Sequence, residues 1–293
     1  MFNTSAINRK LYNNIILQAL KEDRVHKDIT SQTLISPKHR SIARVIIKEP
    51  AVVCGITVAK DIVHRIDPKL SFRTILQDGK RVKAGATIAI IKGKTRSLLA
   101  AERTLLNFLG FMSGIATQTQ TFVQQAKGTK AKIYDTRKTT PALRLFEKYA
   151  VTCGGGMNHR FDLYDEVLIK DNHVACMNGH LALDEMVRLF HKSTKKRIIV
   201  EVDTIKQFQI VLKECPDVIL LDNMTLSQMR KAVSIRNRAK LKKYPQLEAS
   251  GGVHLSRVKA IAQTGVERIS IGALTHQRQS IDVSLEIKDD HET

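Results

Sequence analysis

Between Ile133 and His173 the chain reads IYDTRKTTPALRLFEKYAVTCGGGMNHRFDLYDEVLIKDNH, and cations recur in it at the ends of apolar runs. One short apolar run leads into Thr136, Arg137 and Lys138, and a second, Val167-Leu168-Ile169, leads into Lys170. Between them three glycines, Gly154 to Gly156, precede Asn158, His159 and Arg160. Arg and Lys are almost never buried without a partner, so several of them converging on one rim point to an anionic ligand. Arginine forks match carboxylates in two-pronged fashion, whereas lysines act as point charges on phosphates. Arg137, Lys138, His159, Arg160 and Lys170 therefore suit a substrate with two carboxylates and another with a diphosphate.

Further along, apolar runs end in acids and then in glycines. Glu201 lies between Val200 and Val202, and Asp222 closes VILLD. Ser250-Gly251-Gly252 and Gly272 follow the last two runs. Two carboxylates in a site for anions are sensible only opposite a cation, either a magnesium ion on a diphosphate or a positive charge developing on a sugar ring. The glycine-rich ends offer backbone N–H groups for a phosphate. Asp203-Thr204 and Asn223-Met224-Thr225 read as starts of helices, which discounts Asp203 and Asn223 as functional.

These groups must be held by elements, and the elements are legible. From Ala131 onward strand signals fall at 131–135, 167–170, 197–202, 218–222, 246–250 and 268–272, with helix-compatible segments between. Six strands each followed by a helix predict a parallel sheet curling into an incomplete α/β barrel, with functional groups at the C-terminal strand ends. Residues 7–21 predict an amphipathic helix with Leu11, Ile15, Ile16 and Leu20 on its apolar face. Residues 41–91 are rich in β-branched runs broken by Pro50, Gly55, Asp78-Gly79 and Gly85, as in a small sheet domain. A long apolar helix follows over 97–126. The fold class is thus α/β: an N-terminal α+β sandwich domain (1–115, ending in the inter-domain helix), a six-stranded barrel domain (116–276), and a C-terminal segment (277–293) that returns to the N-terminal domain. A second helix carries Pro141 near its first turn and Leu143, Leu145, Phe146 and Tyr149 as apolar positions.

Composition sets the class. The chain has 293 residues, 43% hydrophobic and 26% charged, which is ordinary for a globular protein. No apolar run approaches the roughly 20 residues a membrane helix needs, and the N-terminus lacks a signal peptide's apolar core, so a cytoplasmic location is expected. Cys54, Cys153, Cys176 and Cys215 are scattered and read as free thiols, with neither a zinc pattern nor a disulfide framework. The formal net charge is +20, yet Lys and Arg are spread out, with only short groups such as Lys195-Lys196-Arg197 and Lys240-Lys242-Lys243. There is no Trp and aromatics make up 5%, so stacking platforms for nucleic acid are scarce. A basic anion-binding enzyme is the better reading, with no nucleic-acid partner.

In order and spacing, DTRKTTP, GGGMNHR and LIKDNH resemble the quinolinate phosphoribosyltransferase family, which decarboxylates quinolinate on the way to NAD. Asp28-Ile29-Thr30, AERTLLN, LEASGGV and ISIGALTH extend the resemblance from about Asp28 to Leu285. The resemblance implies a homodimer or higher oligomer with shared sites, in which Arg103 of AERTLLN reaches a substrate carboxylate in the neighbour's site. It implies quinolinate on Arg103, Thr136, Arg137, His159, Arg160 and Lys170. Phosphoribosyl pyrophosphate would carry its 5-phosphate at Ser250, Gly251, Gly252, Gly272 and His276, its diphosphate near Lys138, Lys170 and magnesium. Glu201 and Asp222, with Lys138 and Lys170, would be the catalytic groups, and Glu201 and Asp222 candidate magnesium ligands; no organic cofactor is needed. Two positions depart from the pattern: Ala142 stands where glycine usually follows T-T-P, and Asp162 where glycine usually follows N-H-R-x. A Schiff-base role for Lys170 is the rival within the fold. A monocarboxylate phosphoribosyltransferase is the rival within the reaction class, and the number of cations argues against it.

Overall fold

The computed structural model describes residues 8–177, 181–241 and 244–289, so Lys242 and Lys243 of the basic group lie outside the described residues. The chain forms two compact units from interleaved segments. One comprises Thr121–Lys138 and Gly156–Ala273; the other runs to Gln120 and adds Thr139–Gly155 and the chain from Leu274 onward.

The first unit is built on a six-stranded sheet. Its spatial order is Lys132–Tyr134, Arg268–Ser270, Gln246–Ser250, Val218–Asp222, Ile198–Val202 and Val167–Ile169, with every pairing parallel. The first and sixth strands occupy opposite ends of this order, so the sheet curls without closing. The open side of Lys132–Tyr134 takes one parallel bridge, Tyr134 to Met157, and Met157 N–H donates to Ile133 O at 2.8 Å. Ile199, Val200, Val218, Ile219, Leu221, Leu247, Ala249 and Ile269 are fully buried. Near-continuous apolar runs are what a parallel sheet covered on both faces requires. Burying each large aliphatic side chain contributes about 1.5–3 kcal/mol.

In the second unit, Val283–Asp289, Arg40–Ile47, Ala86–Lys94 and Ser71–Thr74 form an antiparallel sheet in that order. The last described stretch is thus a strand beside Arg40–Ile47, from Ser41 opposite Asp289 to Ile47 opposite Val283. On the way it crosses the 31-residue helix Thr95–Gln125 at close range. Ile281 N–H donates to Gly110 O at 3.0 Å, and a Cβ on Gly114 would lie 1.9 Å from Gln279 O. Only glycine permits that approach.

Two local expectations shift. The first helix is Arg9–Glu22, with the Asn8 side chain accepting Lys10 N–H as its N-cap. Its buried face is Tyr12, Ile16 and Leu20, while Leu11 is half exposed. Tyr12 displaces Leu11 because its hydroxyl finds a partner, donating to Asp61 Oδ2 at 2.5 Å, so the ring can be buried whole. The second helix begins at Arg144, with Leu143 as its N-cap, and Pro141 belongs to the turn before it.

Candidate active site

Parallel strands deliver their C-terminal ends to one edge, and the charged groups stand there. Lys170 follows Val167–Ile169 directly, Glu201 is the fourth residue of Ile198–Val202, and Asp222 ends its strand. Lys170 Nζ lies 3.5 Å from Glu201 Oε2. Burial raises the Glu201 carboxyl above the ordinary range, Lys170 works against that, and the neighbouring Asp222 adds to it. The two acids are therefore close enough to repel, a demand for positive charge between them. The Lys170 side chain is 43% exposed and paired, unlike the desolvated lysine that Schiff-base chemistry needs.

The cationic half hangs on an aspartate that the sequence reading left aside. Asp135 is fully buried, accepting Asn158 Nδ2–H on Oδ2 at 2.6 Å and His159 N–H on Oδ1 at 2.8 Å. It clamps the loop after the glycines to the end of the strand that carries Thr136 and Arg137. Arg160 is buried and donates to Glu166 O at 3.2 Å. Burial, and after it the charge of Arg137, lowers the Arg160 guanidinium below its ordinary value. Two guanidinium groups held against each other's repulsion are matched by an anion with more than one negative charge. Asp162 Oδ1 accepts the N–H groups of Tyr164 and Asp165 at 2.8 and 2.9 Å and so caps a turn, while its charge, after that of Glu166, works against the lowering of Arg160.

His159 is turned inward. Its Nδ1 accepts Arg160 N–H at 2.8 Å, which leaves the hydrogen on Nε2, 3.3 Å from Glu248 Oε1. Glu248 Oε2 in turn lies 2.7 Å from Arg268 Nε, and Arg268 stacks over the Tyr134 ring at 4.0 Å. Glu248 and Arg268 are 0% and 1% exposed. The Nε–H of Arg268 is not aligned with the carboxylate oxygen, so charge rather than a directed hydrogen bond holds this pair.

At the phosphate-compatible edge Gly251 and Gly252 have φ of +85° and +56°, conformations that favour glycine. A Cβ on Gly251 would lie 2.1 Å from Asn223 Oδ1, while Gly252 opens to empty space on that side. Asn223 is itself left-handed, at φ +51°, and its Nδ2 donates to Asp222 Oδ2 at 2.6 Å. The helix starts expected at 203–204 and 223–225 are capped by Thr204 and Thr225, each in a reciprocal box with the glutamine three residues on. Asn223 is thereby freed from capping and instead braces both Asp222 and Gly251. Ser250 ends its strand, and Gly272 follows Arg268–Ser270.

In the other unit Arg103 is exposed on Thr95–Gln125, and among the described residues nothing pairs with it. His276 ends the short helix Ala273–His276 and is exposed. The segment after Lys138 is pinned here: Thr140 N–H donates to the fully buried Glu147 at 3.1 Å, and Arg144 Nε donates to Thr139 Oγ1 at 2.9 Å. Ala142 sits at φ +65°, a left-handed conformation that favours glycine.

The model of the quinolinate phosphoribosyl transferase N-terminal domain matches residues 28–113, and that of the C-terminal domain matches residues 115–286. The chain belongs to the quinolinate phosphoribosyltransferase family. It is 40% identical over 276 residues to the nicotinate-nucleotide pyrophosphorylase [carboxylating] of Mycobacterium leprae, covering 93% of this chain and 95% of that protein. It is 38% identical over 291 residues to quinolinate phosphoribosyltransferase [decarboxylating] 1b of Nicotiana tabacum, covering 93% and 81%. The solved nicotinate-nucleotide pyrophosphorylase of Francisella tularensis superposes with a TM-score of 0.91 at 34% identity, covering 98% of this chain and all of that one. The α/β architecture, with an antiparallel N-terminal part and a six-stranded parallel C-terminal part, is that of the family.

For this phosphoribosyltransferase, the sequence reading missed Asp135, Asn223, Glu248 and Arg268. Glu248 was open to discovery, since Leu247 and Ala249 flank it as Val200 and Val202 flank Glu201. Asp135 and Arg268 carried no such sign, because their partners lie 24 and 20 residues away in sequence.

Proposed function

We infer that this chain is a nicotinate-nucleotide pyrophosphorylase that converts quinolinate and phosphoribosyl pyrophosphate to nicotinate mononucleotide, pyrophosphate and carbon dioxide, a step of NAD synthesis. The observation that carries the reading of the site is the split edge of the parallel sheet: Arg137 and Arg160 crowd one another on one side, and Glu201 and Asp222 on the other.

In this reading Arg137, Arg160 and Lys170 bind the two carboxylates of quinolinate, with Thr136 alongside. His159, which the sequence grouped with the cations, acts by fixing Arg160 through its backbone N–H. Ser250, Gly251, Gly252, Gly272 and His276 receive the 5-phosphate of phosphoribosyl pyrophosphate, and Lys138 with Lys170 the diphosphate. Two carboxylates at adjacent strand ends fit a hard cation that keeps substrate oxygens and water as its other ligands, so Glu201 and Asp222 are the residues that would hold magnesium. Bound there, the ion supplies neutralisation of the diphosphate's charge. Glu201 and Asp222 also stabilise the positive charge that grows on the ribosyl carbon as pyrophosphate departs and the pyridine nitrogen attacks. The 2-carboxylate then leaves as carbon dioxide, its electron pair passing into the cationic ring. Arg103, exposed and without a partner among the described residues, reaches the quinolinate of a second subunit in a dimer or higher oligomer.

Incubation with quinolinate labelled at the 2-carboxylate tests this reading. Label should be released as carbon dioxide in step with nicotinate mononucleotide and pyrophosphate. Nucleotide formed with the label retained would overturn it.

A further inference from the structure

Outside the sheet edge, one cluster in the N-terminal unit has metal-ligating chemistry that the phosphoribosyl transfer does not use. Cys54, Asp78 and Cys153 each place a ligand atom within 4.8 Å of the other two. They come from three segments 24 to 99 residues apart, and each is held by the backbone around it. Cys54 N–H donates to Ser113 Oγ at 3.0 Å, and Ser113 Oγ–H donates back to Cys54 O at 3.2 Å. Gly79 N–H donates to Val53 O at 2.8 Å, which ties the Asp78 turn to the Cys54 loop. Asp78 Oδ1 accepts Ile56 N–H at 3.0 Å and Oδ2 accepts the Tyr149 hydroxyl at 2.8 Å, so the carboxylate is oriented by groups behind it. Cys153 is the last residue of Arg144–Cys153, on the same helix as Tyr149.

We propose that Cys54, Cys153 and Asp78 form a binding site for a thiophilic divalent ion, zinc by chemistry, that clasps the end of Arg144–Cys153 to the Cys54 and Asp78 loops. Two sulfurs and one carboxylate oxygen suit a borderline-soft ion and exclude magnesium, which takes oxygen alone. Zinc–sulfur bonds of about 2.3 Å in tetrahedral array set the ligand atoms about 3.8 Å apart, within a small side-chain adjustment of the present spacing. The hydrogen bonds of Tyr149 and Ile56 to the carboxylate are the outer support that metal ligands ordinarily carry. Cys54 is fully buried and Cys153 partly exposed, so Cys153 marks the entry side and a water completes the fourth position. Burial, then the neighbouring Cys153, pushes the Cys54 thiol well up. The clasp stands just before Gly154 to Gly156, the stretch of chain that leads to Asn158, His159 and Arg160.

The test uses the reduced full-length chain, stripped with a chelator and then given zinc alone in the presence of excess magnesium to occupy carboxylate sites. Zinc should remain bound through gel filtration and raise the melting temperature. Cobalt in its place should show sulfur-to-metal charge-transfer absorption. Cys153→Ser and Asp78→Asn should lose the zinc-dependent rise and weaken or abolish the absorption, while their metal-free melting temperatures report whether they fold. Equal zinc retention and stabilisation in wild type and Cys153→Ser would overturn the site. So would cobalt uptake without charge-transfer bands, or thiols that pair as a Cys54–Cys153 disulfide and take up no metal.

Discussion

Replacing Glu248 by glutamine should destabilise the protein far more than its neutral size suggests, because the change strands Arg268. The guanidinium is 1% exposed and its carboxylate partner 0% exposed, with Nε and Oε2 2.7 Å apart. Removing one member of a buried pair costs about 3–5 kcal/mol, chiefly as the penalty on the charge left behind. Arg268→Met should cost about the same, leaving Glu248 with His159 and Ser270. The double variant Glu248→Gln/Arg268→Met leaves no buried charge to strand, and methionine fills the space over Tyr134. It should therefore lie within about 1–2 kcal/mol of wild type, a non-additivity of several kcal/mol. Acid should separate the variants further. Burial pushes the Glu248 carboxyl up, but His159 and Arg268 outweigh it and hold the group below the ordinary range. A depressed folded value means the stabilisation is complete above the unfolded value of about 4.3 and is lost as pH falls through the folded one. The wild type should lose this contribution on acidification and the double variant should not. Urea unfolding of the four proteins at neutral and acid pH measures both effects. Additive losses, or single losses under about 1 kcal/mol, would mean that the pair is hydrated and that the charge argument is wrong.

Other changes read other parts of the site. Glu201→Gln should lower kcat about 100-fold or more, as expected for losing one electrostatic stabiliser; a raised KM for phosphoribosyl pyrophosphate at unchanged kcat would make Glu201 a binding group only. Because burial raises the Glu201 carboxyl of the free enzyme and its charged form is the working one, the acid limb of the wild-type kcat/KM profile should lie above the ordinary carboxylate range, and an unshifted limb would contradict that. Ala142→Gly should be stabilising by about 0.5–1 kcal/mol, since relief of roughly 1–2 kcal/mol of left-handed strain exceeds the roughly 0.4–1 kcal/mol of added unfolded-chain entropy; a fall in melting temperature would refute it. Mixing inactive Arg103→Ala with inactive Lys138→Ala should restore part of the activity through hybrid dimers, and no recovery after verified subunit exchange would place Arg103 outside the neighbour's site.

What could be read from the sequence was periodic or local. All six strands of the parallel sheet fall inside their expected spans, because runs such as VILLD and IIVEV are apolar on both faces and stop at a charge or glycine. The charged ends followed from the same pattern, as did the 31-residue helix with Arg103 on it. Contacts between distant residues were out of reach. Cys54 and Cys153 lack the short spacing that marks a metal pair, so they passed as unrelated thiols. His159 was grouped with the cations from sequence alone, and the contact of its Nε2 with Glu248, 89 residues away, had no sign there. Tyr12 was not among the apolar positions expected on the first helix, and its bond to Asp61, 49 residues away, explains why it is buried in place of Leu11.

The central claim is that the edge holding Arg137, Arg160 and Lys170 is built for two carboxylates. Comparing kcat/KM for quinolinate and nicotinate tests it most directly. Omitting the 2-carboxylate forfeits a pair of charge-assisted hydrogen bonds from the arginines, each contributing about 1.5–3 kcal/mol, and each 1.4 kcal/mol is a factor of about ten. Nicotinate should therefore be used at least about 100-fold less well than quinolinate. Phthalate, with both carboxylates and no ring nitrogen, should compete with quinolinate. Equal kcat/KM for the two acids would contradict the account.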